Sequence, residues 1–325
     1  MQVRNVALLG QLGDVDLRLL RVFKSVVECG GMAAAELELN IALSTISRHI
    51  KDLETRLGLV LCRRGRGGFG LTAEGQQVYE AALSLLSATQ TFRTRLHDIH
   101  RRLGGDLHVA LFEKTISNPQ ARIASAIASF HRQVPSARLH LHVGSIGTIE
   151  RGVIDGQFQL GIIPQHRSSE LLCYQELFGE TMLLYAAPGH PWFEQPQPGL
   201  GWDDLRQQQL AALGYHSPNM ELAHRHQLER AATASDQEAV ATFILSGCFV
   251  GFLPDHYAAA FVQAGRMRAI APAVLRYHCR FMAISRQSPK SSRLTQAFQQ
   301  TLYASHASHA SQAGRPPCQD PPALG

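Results

Sequence analysis

Residues 31–72 read GMAAAELELNIALSTISRHIKDLETRLGLVLCRRGRGGFGLT, and the period of this stretch decides the fold. It predicts a short helix, a tight turn, a second helix and a glycine-and-arginine hairpin. Ala33, Ala34, Ala35 and Leu37 give the first helix a compact apolar face. Asn40 breaks that helix, because its amide competes for backbone hydrogen bonds and tolerates turn geometry. Ile46, Ile50, Leu53 and Leu57 recur at helical spacing, so one face of the second helix is core. Ser44, Thr45, Ser47, Arg48 and Lys51 make its other face polar and cationic, as a major-groove reader requires.

A helical hairpin with a merely solvated face would contain the same two helices. The segment that follows favours nucleic acid. Arg63, Arg64 and Arg66 stand among Gly65, Gly67, Gly68 and Gly70, ahead of Leu71 and Thr72. A flexible cationic hairpin of this kind suits phosphate contact. From Ile41 to Thr72 the acidic residues are only Asp52 and Glu54, against Arg48, Lys51, Arg56 and the three wing arginines.

The stretch resembles the winged helix-turn-helix of LysR-type transcriptional regulators. Phe23, Val26 and Val27, Ala33 to Ala35 with Leu37, and Ser44 to Ile50 carry the match. Leu53-Glu54, Leu57-Gly58, Leu61, Arg64 and Leu71 to Gly75 complete the register without a gap. Two pairs depart from the family pattern. Ala42 and Leu43 replace small polar residues, often serine then glutamine, which leaves the base contacts open. Cys62 and Arg63 replace a phenylalanine and an acidic residue, which adds charge to the wing. With the resemblance, the DNA-binding set becomes Ala33, Ser44, Thr45, Ser47, Arg48, Lys51, Arg63, Arg64, Arg66 and Thr72.

At 325 residues the chain has room for two or three domains with proper cores. A net charge of +5 lends mild support to a polyanionic partner. Cys29, Cys62, Cys173, Cys248, Cys279 and Cys318 show no metal spacing and read as reduced thiols, with a redox-sensing module kept as an alternative. His140 with His142, and His224 with His226, lack converging acidic or cysteine partners, so no metal is expected. Met1 to Gly13 lacks the features of a signal peptide, and the apolar run from Thr242 to Pro254 is too short to span a bilayer. The expectation is a cytoplasmic protein with no membrane partner.

In chain order, residues 1–13 form an extension and 14–72 the winged domain. Its first helix is capped by Asp14 or Asp16 and ends at Gly30-Gly31. Residues 73–105 form a long helix and a Gly104-Gly105 hinge. Val78, Ala82, Leu85, Thr89, Phe92, Leu96, Ile99 and Leu103 alternate by four and three, a coiled-coil seam. Dimerisation through Val78, Leu85, Phe92 and Leu96 is therefore expected, since two half-sites give specificity that one helix cannot.

From residue 106 strands and helices alternate, which implies a parallel sheet flanked by helices. The expected strands lie near 107–112, 139–143, 158–164, 181–187, 209–213, 231–235, 248–253 and 275–285. Helices are expected from Asn118-Pro119, over 149–156, 202–207 and 236–246, and from 291 to 303. The phrases LLYAAPGHPW and GCFVGFLPD extend the resemblance to the family's two-lobed effector domain, itself similar to periplasmic solute-binding proteins. The fold class is thus α/β multidomain: a winged helix-turn-helix, a linker helix and an effector domain over 106–304. Lobe I takes about 106–175 and 272–304, and lobe II about 176–271. Residues 305–325 read as a disordered tail.

In open α/β sheets ligands lie beyond the carboxyl ends of strands, at helix N-termini. That rule singles out Lys114, Thr115 and Ser117, then Ser145 and Thr148, then Ser235 as effector contacts, although ordinary capping would also place hydroxyls there. No Walker loop, GxGxxG, HExxH or GxSxG is present, so no catalytic set is expected. The resemblance implies a dimeric or tetrameric regulator of operator DNA that answers to a small-molecule co-inducer and meets RNA polymerase, with no other cofactor. The rival readings are a solute-binding protein and an enzyme built on the two lobes.

Overall fold

The computed structural model describes residues 12–65, 68–99, 103–195 and 199–307. They fall into two compact units that divide near Leu96.

The first unit opens with α1 (Asp14–Glu28), which buries Leu19, Leu20, Val22, Phe23 and Val26. Burial of each such side chain contributes about 1.5–3 kcal/mol. The helix stops at Gly30, whose φ of 73° is left-handed. Then come α2 (Met32–Leu39), a turn at Asn40 with φ 51°, and α3 (Leu43–Leu57), which buries Ile46, Ile50 and Leu53. Strands β1 (Cys62–Gly65) and β2 (Gly68–Leu71) pair antiparallel as the wing, and α4 (Ala73–Ile99) follows.

Two expectations need correction in this unit. The apolar face of α2 is not Ala33, Ala34 and Leu37. Only Met32 and Ala35 are buried, and Leu37 is 90% exposed. A two-turn helix presents positions three apart to its core, and residue 37 lies about 200° around from residue 35. The seam of α4 is also divided. Ala82 is buried and Val78 and Leu85 are half-buried, all three against the winged unit's own core. Phe92, by contrast, is 61% exposed. The side chain of Leu96 and residues 100–102 lie outside the described set.

The second unit is built on one nine-stranded sheet. Its elements in order are β3 (Gly105–Phe112), α5 (Ile123–Gln133), β4 (Ala137–Gly144), α6 (Ile146–Ile154), β5 (Leu160–Pro164) and β6 (Leu172–Ala186). Next come α7 (Pro191–Glu194), α8 (Trp202–Leu205), β7 (Leu210–Leu213), α9 (Pro218–Arg225), β8 (Arg230–Ala234) and α10 (Gln237–Leu245). The last are β9 (Val250–Pro254), α11 (Asp255–Gln263), β10 (Arg268–Ala269), β11 (Arg276–Arg286) and α12 (Arg293–Ala307). The strand order is β4-β3-β5-β11-β6-β9-β7-β8, with β10 on β6. Pairing is parallel within β4-β3-β5 and β9-β7-β8, and antiparallel through the central β11 and β6. Those two long strands cross between a lobe cored on Phe130, Phe281 and Phe298 and one cored on Trp192 and Phe252.

Several boundaries differ from the sequence reading. The helix expected at Asn118-Pro119 begins at Ile123, because Asn118 clamps a turn instead. Its Nδ2 donates to Gly179 O at 3.0 Å and its Oδ1 accepts from Gln120 N at 2.8 Å. Helix α6 starts three residues early, and β6 begins at Leu172 rather than Thr181. Helices α9 and α11 lay outside the expected set. Ser305 to Ala307 are the end of α12 and not tail, for buried His306 accepts from Arg122 N at 3.1 Å through Nε2. Among the described residues no helix is long and apolar enough to cross a membrane.

Candidate nucleic-acid interface and inter-lobe cleft

In the first unit the reading surface is the outer side of α3. Ser44, Arg48 and Lys51 are exposed along one stripe, with Thr45 and Ser47 half-buried beside it. Arg63 is exposed on β1, and Ala33 is exposed on α2. Arg64 belongs to β1, but its side chain lies outside the described set, as does Arg66 entirely.

The frame behind this surface is tied by polar contacts. Arg56 Nη2 donates to Asp16 Oδ2 at 3.1 Å, and Nε donates to Oδ1, which joins α3 to α1 across the core. Arg56 is thereby engaged as a strut within the domain. Glu54 Oε1 accepts from Leu61 N at 2.8 Å and Cys62 N at 3.2 Å, which fixes the wing to α3. Thr72 is a correction to the DNA set. It is buried, its hydroxyl donates to Val60 O at 2.6 Å, and it accepts from Gly75 N at 2.8 Å, so it caps α4 from inside.

The Arg56 guanidinium, with the Gly13 N–H, holds the Asp16 carboxyl below the usual carboxylate range. A depressed native pKa stabilises the fold above the unfolded value and is lost as pH falls through the native one. The winged unit should therefore lose stability below about pH 4. Asp16→Asn should lower its melting temperature at pH 7 and remove that acid limb. Acid melts of the variant that overlay the wild type would refute this.

In the second unit the lobes meet where β3 ends. Glu113 Oε1 accepts from the Gln237 N–H at the N-terminus of α10, at 2.9 Å. Lys114, at φ 59°, donates through Nζ to Glu238 Oε2 at 2.9 Å and lies 4.9 Å over the Tyr257 ring. Ser117 Oγ donates to Lys114 O and lies 2.9 Å from His256 Nδ1; His256 Nε2 lies 2.9 Å from Glu180 Oε2 on β6. Of the six residues expected to contact an effector, Lys114 and Ser117 thus bridge the lobes, and Ser235 stands beside them, donating to Asp236 at 3.0 Å. Thr115 is buried. Ser145 and Thr148 form their own cap on α6, with hydroxyls 3.0 Å apart.

Burial and the neighbouring Asp236 and Glu238 push Glu113 up to about 7, opposed by the Gln237 N–H and by Lys114. A raised carboxyl means that the folded state binds more protons than the unfolded one between about pH 4.5 and 7, so this group lowers stability as pH rises through that window. Glu113→Gln should flatten the fall in melting temperature of the second unit between pH 5 and 8. An unchanged slope would refute it.

A cavity of about 340 Å³ opens between the end of β5, α9 and β11, lined among others by Gln165, His166, Glu221, Arg225 and Arg280. Among the described residues no three His, Cys, Asp or Glu side chains are placed to hold a metal. Cys248 is exposed, and burial pushes the Cys279 thiol well up.

Residues 17–76 match the bacterial regulatory helix-turn-helix protein, lysR family, and residues 100–306 match the LysR substrate binding domain. The HTH-type transcriptional activator BauR of Pseudomonas aeruginosa is 37% identical over 91% of this chain and 97% of its own length. The chain belongs to the LysR family. Among solved structures, the full-length family regulator CbnR bound to its target DNA matches at TM-score 0.60 and 21% identity, covering 89% of this chain and 99% of that one. AphB of Vibrio cholerae, a virulence activator of the same family, matches at 0.52 and 18%, covering 89% and 99%.

This LysR-family chain is accordingly a transcriptional regulator with a substrate-binding-type domain and not an enzyme. The cavity residues of the regulator escaped sequence reasoning for a specific reason. The strand-end rule singles out hydroxyl-bearing loops after β3, β4 and β8, whereas Gln165 and His166 follow β5 and obey the same rule. Helix α9 carried a start signal too: Ser217 accepts from Met220 N as its cap, with Pro218 at the first helical position.

Proposed function

We propose that this regulator grips operator DNA as a dimer or tetramer, and that a small molecule held between its lobes alters that grip. The α3 stripe enters the major groove while the wing arginines hold the backbone. The observation that carries the reading is the two-sidedness of α3: Ile46, Ile50 and Leu53 are sealed in the core while Ser44, Arg48 and Lys51 stand in solvent. Self-association is supported by apolar surface without a cover in one copy, namely Phe92 on α4, and Leu141 with Val143 on the edge strand β4, Val143 being 71% exposed. The effector reading is supported by a two-lobed domain joined through only two long strands, a hinge architecture that a ligand can bias.

The test is a titration of the purified chain against DNA from upstream of its own gene, at rising salt, with the mass in solution measured in parallel. With six to ten phosphate contacts, affinity should fall about 10³–10⁵-fold between 50 and 200 mM salt. A strictly monomeric protein that ignores the fragments at low salt would overturn the proposal.

A further inference from the structure

Helix α3 begins with a side chain that its own domain leaves unused. Leu43 is the first residue of the helix and is 41% exposed. Leu39 and Ile41, just before it, are half-buried against the core of the winged unit, as is Leu57 at the far end of the helix. Nothing local asks for an apolar group at residue 43. The usual apolar pairing at a helix start joins the residue before the cap to the fourth helical residue. With Ala42 as the cap, those two places belong to Ile41 and Ile46, and Ile46 is fully buried.

The exposed leucine stands at the front of the reading surface. Leu43, Ser47 and Lys51 are spaced by four and form one ridge along α3, beside the ridge of Ser44 and Arg48. The backbone under it is tied down. Leu43 N donates to Glu36 Oε1 on α2 at 3.2 Å, and Thr45 N donates to Ala42 O at 2.8 Å. A recognition helix meets base edges with its N-terminal residues, and on α3 those begin with Leu43 and Ser44. The distinctive apolar group of the major groove is the C5-methyl of thymine; guanine, adenine and the amino edge of cytosine present donors and acceptors. A leucine laid over a donor or acceptor strips it of water and returns no hydrogen bond. A glutamine at this place, as in the family pattern, would pair with adenine.

We propose that Leu43 is a specificity residue that selects a thymine in each operator half-site through its C5-methyl group. This rests on the reading in which α3 enters the major groove, and goes beyond it by naming one base and the group that is read.

The test takes a duplex that the purified full chain selects from random DNA and replaces each thymine in turn with uracil. Uracil lacks the methyl and keeps every hydrogen-bonding group of thymine. Loss of one buried methyl should weaken binding about fourfold, and loss of its symmetry mate as well about fifteenfold in total. In Leu43→Ala, which should melt like the wild type, the same exchange should change affinity by less than about twofold. In Lys51→Ala the whole affinity should fall while the methyl effect stays. The cycle with Leu43→Ala separates the contact from any change in the duplex itself. The scan of the wild-type chain is independent of any variant's folding: if no exchange weakens binding by about twofold or more, the proposal falls. A methyl effect that survives in Leu43→Ala belongs to another side chain and overturns it too. Either result leaves the groove reading standing if Arg48→Ala still loses the site, and removes it if Arg48→Ala binds like the wild type. If selection enriches no site at low salt, both fall.

Discussion

Replacing Gly75 with alanine unfolds the winged unit and abolishes operator binding, while the second unit still melts near its wild-type temperature. Gly75 lies in the first turn of α4, where that helix passes over the chain entering the wing. A Cβ there would stand 2.0 Å from Leu61 O and 2.9 Å from Leu61 C, both backbone atoms with no rotamer to escape into. It would also approach Thr72 Oγ1 at 3.0 Å. Relief requires α4 and the wing to part, and that breaks the bonds from Thr72 N to Leu61 O at 3.0 Å and from the Thr72 hydroxyl to Val60 O. Overpacking plus a broken buried network costs on the order of 4–5 kcal/mol, in the exceptional tail for single substitutions. A small domain is stable by only about 5–15 kcal/mol, so most of its margin goes. Calorimetry resolving the two units would show the winged unit's transition gone or far displaced. A variant that melts and binds like the wild type would mean that the helix and wing do not approach each other in this way.

The second large effect is on recognition without loss of fold. Arg48→Ala should weaken operator binding at least thirtyfold at fixed salt. A good side-chain pairing to a base is worth about 1–3 kcal/mol of discrimination, and a dimer reads two half-sites, so the loss is about 2–6 kcal/mol per dimer. Arg48 is exposed and makes no ion pair among the described residues, so the melting temperature should stay put. Lys51→Ala offers the contrast. As a phosphate contact it should weaken all sequences about equally and lower the salt slope by about one per half-site. An unchanged mobility shift for Arg48→Ala would move the base-reading role elsewhere on the surface.

The winged domain was largely legible because its information is local. Helix, Asn40 turn, helix and glycine-rich hairpin follow one another within residues 31–72, and each announces itself by period or by a turn residue. What escaped was long-range. The role of Arg56 depends on Asp16, forty positions earlier in the chain, and only the fold shows that this arginine is a strut. Thr72 looked like part of the wing's polar surface until its hydroxyl was seen to be enclosed. In the second unit the strand-end rule singled out Lys114 and Ser117 as effector contacts, and the fold places them in contacts that bridge the lobes. Their partners lie more than a hundred residues away, Glu238 in α10, which the pattern marked, and Tyr257 and His256 in α11, which it did not. Helix α4 shows the limit of a periodicity argument. The same four-three spacing runs through Ala82, which covers its own domain, and through Phe92, which is exposed, and only burial separates the two stretches.

The ties that join α1 to α3 through Asp16 and Arg56, and the wing to α3 through Glu54, make the DNA-reading head a stiff block. A signal arriving from elsewhere in such a molecule has no soft joint inside the head on which to act. On the proposed dimeric, effector-responsive reading it would change how far apart two heads stand and leave untouched which letters each of them prefers, so a motif selected from random DNA should keep the same half-site spelling with the co-inducer present or absent.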